Sequence, residues 1–195
     1  MSSSLVGSEM CIRDRITTAE IQEILIKSAS DLIELDSPNY QFVAARLLLF
    51  SVRKRLWGRI HEPLTLGDHI TKCIREGVYD SHFTSKYTDE EIDELDSYID
   101  HDRDYLFTYA GLRQVTDKYL IQDRSTGELY ETPQFMYLMI AATMFSEYPK
   151  ETRLDYVKRY YDAISRHKIN IPTPVMGGVR TPIRQFASCV LVDID

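Results

Sequence analysis

A mainly helical fold, a helical bundle carrying one β-hairpin, is predicted for the 195-residue chain from three observations. Apolar residues recur at helical spacing behind Ser/Thr-x-x-Glu start signals. Prolines stand at first-turn positions, as after Thr132. Two-residue alternation is clearest at one place, from Lys118 to Glu131.

Taken in order, Thr17 and Glu20 make a capping box, and Ile21, Ile24, Leu25, Ser28 and Leu32 share one face, so an amphipathic helix is expected over 18–34. Asp36-Ser-Pro-Asn39 breaks the chain. Tyr40, Val43, Ala44, Leu47, Leu48 and Phe50 then begin a second helix, with the basic run Arg53-Lys54-Arg55 in its final turns where the helix dipole favours cations. The two read as an antiparallel pair. Helices are also expected over 68–76, over 88–98 behind the capping pair Thr88 and Glu91, and over 103–114. Cys73 lies in phase with Ile70 and Ile74, as an ordinary buried thiol would.

The hairpin arms over 118–131 turn through Asp123 to Gly127. Thr132-Pro133 opens an apolar helix through Phe145, and Pro149 opens another to about Arg166. The segment 171–182 has three prolines and two glycines and is expected to be non-helical. A final strand is expected over 186–192.

A composition of 44% hydrophobic and 27% charged residues is that of a soluble globular protein with a real core. The net charge of −7 argues against a nucleic-acid partner, so any nucleotide bound is a small molecule. No apolar run has the length of a membrane span and no secretory leader is visible, which makes the cytoplasm the expected compartment. Cys11, Cys73 and Cys189 fit neither a disulfide framework nor a zinc cluster. Residues 1–15 show no sustained period; Ser8-Glu-Met-Cys-Ile-Arg-Asp-Arg15 resembles translated sequencing-adapter read-through, and the segment is set apart from the fold as a non-native leader. The alternative is a native flexible arm.

Three places invite chemistry. Asp100-His101-Asp102-Arg103-Asp104 has residue types that ligate metals or move protons, but it also reads as an N-cap and first-turn acids of the following helix; no metal site is assigned. The loop 172–182 offers backbone amides and hydroxyls beside Arg180, a phosphate-holding combination, with a plain linker as the alternative. Ser188-Cys189 places a thiol that is nucleophilic or redox-active if a cation stabilises its thiolate, and an ordinary core residue otherwise.

Several segments are more specific. Tyr40-Gln-Phe-Val-Ala-Ala-Arg46, Tyr98-Ile-Asp-His-Asp-Arg-Asp104, Lys118-Tyr-Leu120 with Thr126-Gly-Glu128, Tyr148-Pro-Lys-Glu-Thr-Arg153, Tyr156-Val-Lys-Arg-Tyr-Tyr-Asp162, and Pro172-Thr-Pro174 through Arg184-Gln-Phe-Ala-Ser-Cys-Val-Leu191 run in the order of one family. From Ile16 onward the chain resembles the large subunit of class Ia ribonucleoside-diphosphate reductase, as an N-terminal fragment of it.

The resemblance implies that 16–58 is the C-terminal half of an ATP cone, 59–170 the helical N-terminal domain, and 171–195 the first strand of a truncated ten-stranded α/β barrel. It implies that Thr18 and Lys54 contact the allosteric effector, ATP or dATP, and that Thr173 and Ser188 contact the ribonucleoside diphosphate substrate. Cys189 becomes one member of the redox cysteine pair that supplies two electrons to the ribose. The implied partners are a metal-containing small (β) subunit that provides the radical, a second large subunit, and thioredoxin or glutaredoxin as reductant, with no cofactor bound directly. The radical-bearing cysteine and the second redox cysteine are expected beyond Asp195, so this fragment is expected to be inactive by itself. Two non-enzymatic readings stand beside this one, a nucleotide-binding helical regulatory module and a helical adaptor without a ligand.

Overall fold

Thr17 starts the first helix by reciprocal capping: Glu20 N donates to Thr17 Oγ1 at 3.2 Å and Thr17 N donates to Glu20 Oε2 at 2.8 Å. The computed structural model describes residues 16–58, 63–183 and 185–187. Helix α1 (Thr18–Asp31) and helix α2 (Tyr40–Trp57) form the expected antiparallel pair, tied by Gln22 Nε2 donating to the Leu47 carbonyl at 2.9 Å. Gly58 ends α2 with φ 66, a left-handed cap that glycine adopts without strain.

The face of α1 turned inward differs from the expected one. Ile26 and Ala29 are buried, whereas Ile24 is 54% and Leu25 47% exposed, with Ile21 and Leu32 also facing out. The reason is the approach of α2, which buries Ala44, Ala45 and Leu48 in the core with Ile26 and Ala29 and accepts Gln22 Nε2 on its Leu47 carbonyl.

Helix α3 (Leu66–Arg75) is capped by Thr65 and packs on α4 (Asp89–Ser97), which begins with the predicted Thr88–Glu91 capping box. The helix expected over 103–114 is divided. Residues His101–Leu106 form a 3-10 turn, Phe107 is extended with its ring buried, and Thr108 caps a new helix, α5 (Tyr109–Lys118). Burial of Phe107 and the inward turn of Asp104 outweigh the continuous helical pattern.

The expected hairpin is reduced to one antiparallel bridge, Gln122 with Leu129, around a turn that Gly127 makes at φ 72. No strand is formed among the described residues. Ile121 N donates to the Glu131 side chain at 2.8 Å rather than extending a ladder of carbonyl pairs, and Thr132 immediately caps the next helix.

That helix, α6 (Pro133–Met144), is the centre of the core: every residue from Pro133 to Ala142 is buried, as an all-round apolar helix must be. It packs on α7 (Lys150–Ser165), which Pro149 opens as expected. Residues 171–182 are not the irregular loop expected, because α8 (Thr173–Gly178) occupies their middle. Pro172 stands at its N-cap and Pro174 in its first turn, where no backbone N–H is required, and Met176 N closes the turn on the Pro172 carbonyl at 3.0 Å. Of the strand expected over 186–192, only Phe186 and Ala187 are described, and they lie in no strand. No described helix is long and apolar enough to cross a membrane.

A buried polar chain runs through this packing. Arg53, in phase with Leu49 on α2, donates through Nη2 to Asp104 Oδ2 at 3.2 Å and to the His101 carbonyl. Asp104 Oδ1 accepts from Gln134 Nε2 at 2.8 Å, and Gln134 Oε1 accepts from Tyr161 OH at 2.8 Å. Helix α2, helix α6 and the 3-10 turn thus meet at one carboxylate, and α7 joins them through Gln134. Burial raises the Asp104 carboxyl to about 6 despite the opposing bonds from Gln134 and Arg53. Replacing Arg53 with Met leaves that carboxylate uncompensated; equilibrium urea unfolding at pH 7 should show a loss of about 3–5 kcal/mol.

Candidate functional site

Of the two residues that hold the Thr173 segment in place, Arg180 stood out in the sequence and Glu131 did not. Arg180 and Glu131 form an ion pair in which both side chains are fully buried. Arg180 Nε also donates to Glu131 Oε2 at 2.8 Å, Nη1 to the Met176 carbonyl at 2.6 Å and Nη2 to the Tyr119 carbonyl at 2.9 Å. Burial works against the Arg180 charge, but the adjacent Glu131 outweighs it and holds the guanidinium above its usual pKa. This takes Arg180 out of the phosphate-holding combination that the loop offered, because its side chain is fully buried and donates to Glu131 and two carbonyls.

Glu131 has further partners. Tyr79 OH donates to its Oε2 at 2.6 Å, and His69 Nε2 lies 2.9 Å from the same hydroxyl. Since the Tyr79 proton goes to the carboxylate, His69 Nε2 is the donor in that contact. Burial pushes the His69 imidazole down to about 4, against the pull of Glu131, so it is neutral near pH 7. Burial and Glu131 push the Tyr79 phenol well above its usual value. Cys73 is buried as expected, with its thiol pushed up to about 12 by burial and then by Glu131, which makes it a packing residue rather than a nucleophile.

Thr173, at the start of α8, is exposed, and its Oγ1 lies 3.2 Å from Tyr119 OH. Thr18 sits in the first turn of α1 and Lys54 in the last turn of α2, both exposed; the antiparallel pairing brings these turns to the same end of the helix pair. Thr173 is on a different part of the fold, against α5 and α6. Ser188 and Cys189 lie outside the described residues.

In the acidic cluster, Asp100 takes the capping role, accepting from Asp102 N at 3.1 Å and pairing with Arg103 at 3.2 Å. Asp104 instead turns inward to Arg53. Among the described residues no group of His, Cys, Asp or Glu side chains converges to hold a metal ion. The inward pairs had faint signals in sequence, since Arg53 follows Leu49 by one helical turn and His69 precedes Cys73 by one. Nothing local linked Glu131 to Arg180.

Residues 105–184 match the family described as ribonucleotide reductase, all-alpha domain. The chain is 54% identical over 180 residues to the ribonucleoside-diphosphate reductase 1 subunit alpha of Escherichia coli, covering 92% of this chain and 24% of that protein. It is 47% identical over 182 residues to the subunit alpha of Enterobacteria phage T4, covering 93% of this chain and 24% of that one. With the Helicobacter pylori subunit alpha the identity is 31% over 186 residues, covering 95% and 23%. The chain therefore spans about a quarter of the length of these relatives.

The depressed His69 pKa sets a sign for acid stability. Between about pH 4 and 6.5 the unfolded chain binds a proton that folded His69 refuses, so stability falls as pH drops through that window. His101, lowered to about 4 by burial and Arg53, acts in the same direction, while Asp104, raised to about 6, opposes them. Unfolding midpoints measured from pH 7 to 4.5 should fall in the wild type and fall less in His69→Gln, the His69 share being of the order of 3 kcal/mol at most.

Proposed function

The chain belongs to the ribonucleotide reductase large-subunit family, and we propose that it forms part of the α subunit of a class Ia ribonucleoside-diphosphate reductase. The observation that carries this reading is the 54% identity over 180 residues to the E. coli subunit alpha. The reaction replaces the ribose 2′-hydroxyl by hydrogen: the hydroxyl leaves as water, two thiols are oxidised to one disulfide, and their two electrons and two protons balance the reduction. A radical, delivered from a metal-containing small subunit, initiates it at a cysteine other than those in this chain.

Within this scheme Cys189 is one thiol of the redox pair, and Ser188 and Thr173 contact the substrate. The exposed Thr173 hydroxyl supports that role, since a diphosphate is an acceptor of hydrogen bonds and a hydroxyl donates one. The committed donors of Arg180 support a structural task for that residue beneath the segment. Thr18 and Lys54 contact the ATP or dATP effector; their exposure at one end of the α1–α2 pair supports this, with the Lys54 ammonium suited to a triphosphate. Thioredoxin or glutaredoxin regenerates the thiols, and a second α subunit completes the assembly.

The test is turnover of a ribonucleoside diphosphate by the α subunit that carries this segment, combined with a small subunit and a thioredoxin system. Deoxyribonucleoside diphosphate should form with the wild type, and Cys189→Ser should lower multiple-turnover reduction at least 1,000-fold, on the scale expected when an essential reacting group is removed. Unchanged multiple turnover in that variant removes Cys189 from the redox pair. Absence of product with the wild type removes the reductase reading. The 195-residue chain alone is expected to form none.

A further inference from the structure

We propose that Tyr119 is a positioning residue for substrate binding: its hydroxyl donates to Thr173 Oγ1 and so aims the Thr173 proton at a diphosphate oxygen of the nucleotide. This rests on the reading of Thr173 as a substrate contact.

The contact is a hydroxyl pair at 3.2 Å, in which either oxygen is able to donate. The two arrangements are not equivalent toward an anion. If Thr173 donates to Tyr119, its proton is spent and a lone pair faces the substrate, which repels a phosphate oxygen. If Tyr119 donates, the Thr173 proton is free to point outward. A phenol is a stronger acid than an alkyl alcohol and hence the better donor, and a hydroxyl that accepts one bond donates a stronger one. Tyr119 thereby sets the direction of the relay before substrate arrives, reducing the ordering that binding would otherwise require.

The geometry that brings the two hydroxyls together is built into the core. Arg180 Nη2 holds the Tyr119 carbonyl at 2.9 Å, and Nη1 of the same guanidinium holds the Met176 carbonyl of α8 at 2.6 Å. Glu131, paired with that guanidinium, also accepts from Ile121 N at 2.8 Å, two residues beyond Tyr119. The backbone carrying Tyr119 and the helix carrying Thr173 are therefore both fastened to one buried ion pair. Thr173 is exposed while Tyr119 is half-buried beneath it, so the threonine meets the ligand and the tyrosine acts through it.

The experiment is a double-mutant cycle on KM and kcat for CDP reduction, in the α subunit that carries this segment with its small subunit. Thr173→Val, which removes the hydroxyl and keeps the branched shape, is expected to raise KM about 10-fold or more, and Thr173→Ser to restore it. Tyr119→Phe is expected to raise KM about 3–10-fold with kcat nearly unchanged. In the Thr173→Val background Tyr119→Phe should add nothing, because there is no longer a proton to aim. An equal effect of Tyr119→Phe in both backgrounds, or none in the Thr173 background of the wild type, overturns the positioning role and leaves Thr173 as a substrate contact. A silent Thr173→Val overturns the substrate reading itself.

Discussion

Arg180 and Glu131 meet with no exposed surface on either side chain. Removing two charges from water costs several kcal/mol each, and such a pair is tolerated only when the remaining donors and lone pairs are used. Here they are used for construction. The carboxylate takes Tyr79 OH and Ile121 N, and the guanidinium takes the carbonyls of Tyr119 and Met176. One pair thus joins the end of α5, the bridge segment before α6, the stretch after α3 and α8. The position of Thr173 depends on it, because α8 is only six residues long and its Met176 carbonyl is held by the guanidinium.

A second buried guanidinium does the corresponding work for α2. Arg53 carries α2 onto Asp104 and the His101 carbonyl, and its guanidinium lies 5.6 Å from the Trp57 ring centroid and 5.3 Å from that of Tyr105. Its Nε has no hydrogen-bond partner, so the aromatic faces supply part of what hydration would have given. Lys54, the proposed effector contact, is the next residue in the chain. The turn that presents it outward is anchored inward by Arg53, and the α1–α2 pair shares a core with the helices that follow.

The regions proposed to meet effector and substrate therefore each stand on a buried ion pair, and both networks reach the same apolar helix. Adjacent residues of α6 serve both networks: Gln134 links Asp104 to Tyr161, and Phe135 stacks on His69 with ring centroids 4.1 Å apart while His101 meets it edge-on at 5.2 Å. An apolar helix buried all round has no freedom to slide without opening voids, so both networks are fastened to one fixed element.

The sequence by itself determined the helix starts and much of the element order. Thr17, Thr88 and Thr132 cap as read, since a cap bonds to an amide three residues away and needs nothing from the rest of the chain, whereas the caps Thr65 and Thr108 were not read. The family resemblance was legible for the same reason, residing in contiguous wording. What local pattern misread was each place where a distant residue competes: the α1 face chosen by α2, the helix divided at Phe107, the strands forgone when Glu131 took the Ile121 amide, and the helix inside a proline-rich segment. Arg53 with Asp104 and Glu131 with Arg180 are 51 and 49 residues apart. Only tertiary structure decides such pairs, because a charge in the chain is equally content with water until folding removes the water and leaves one partner within reach.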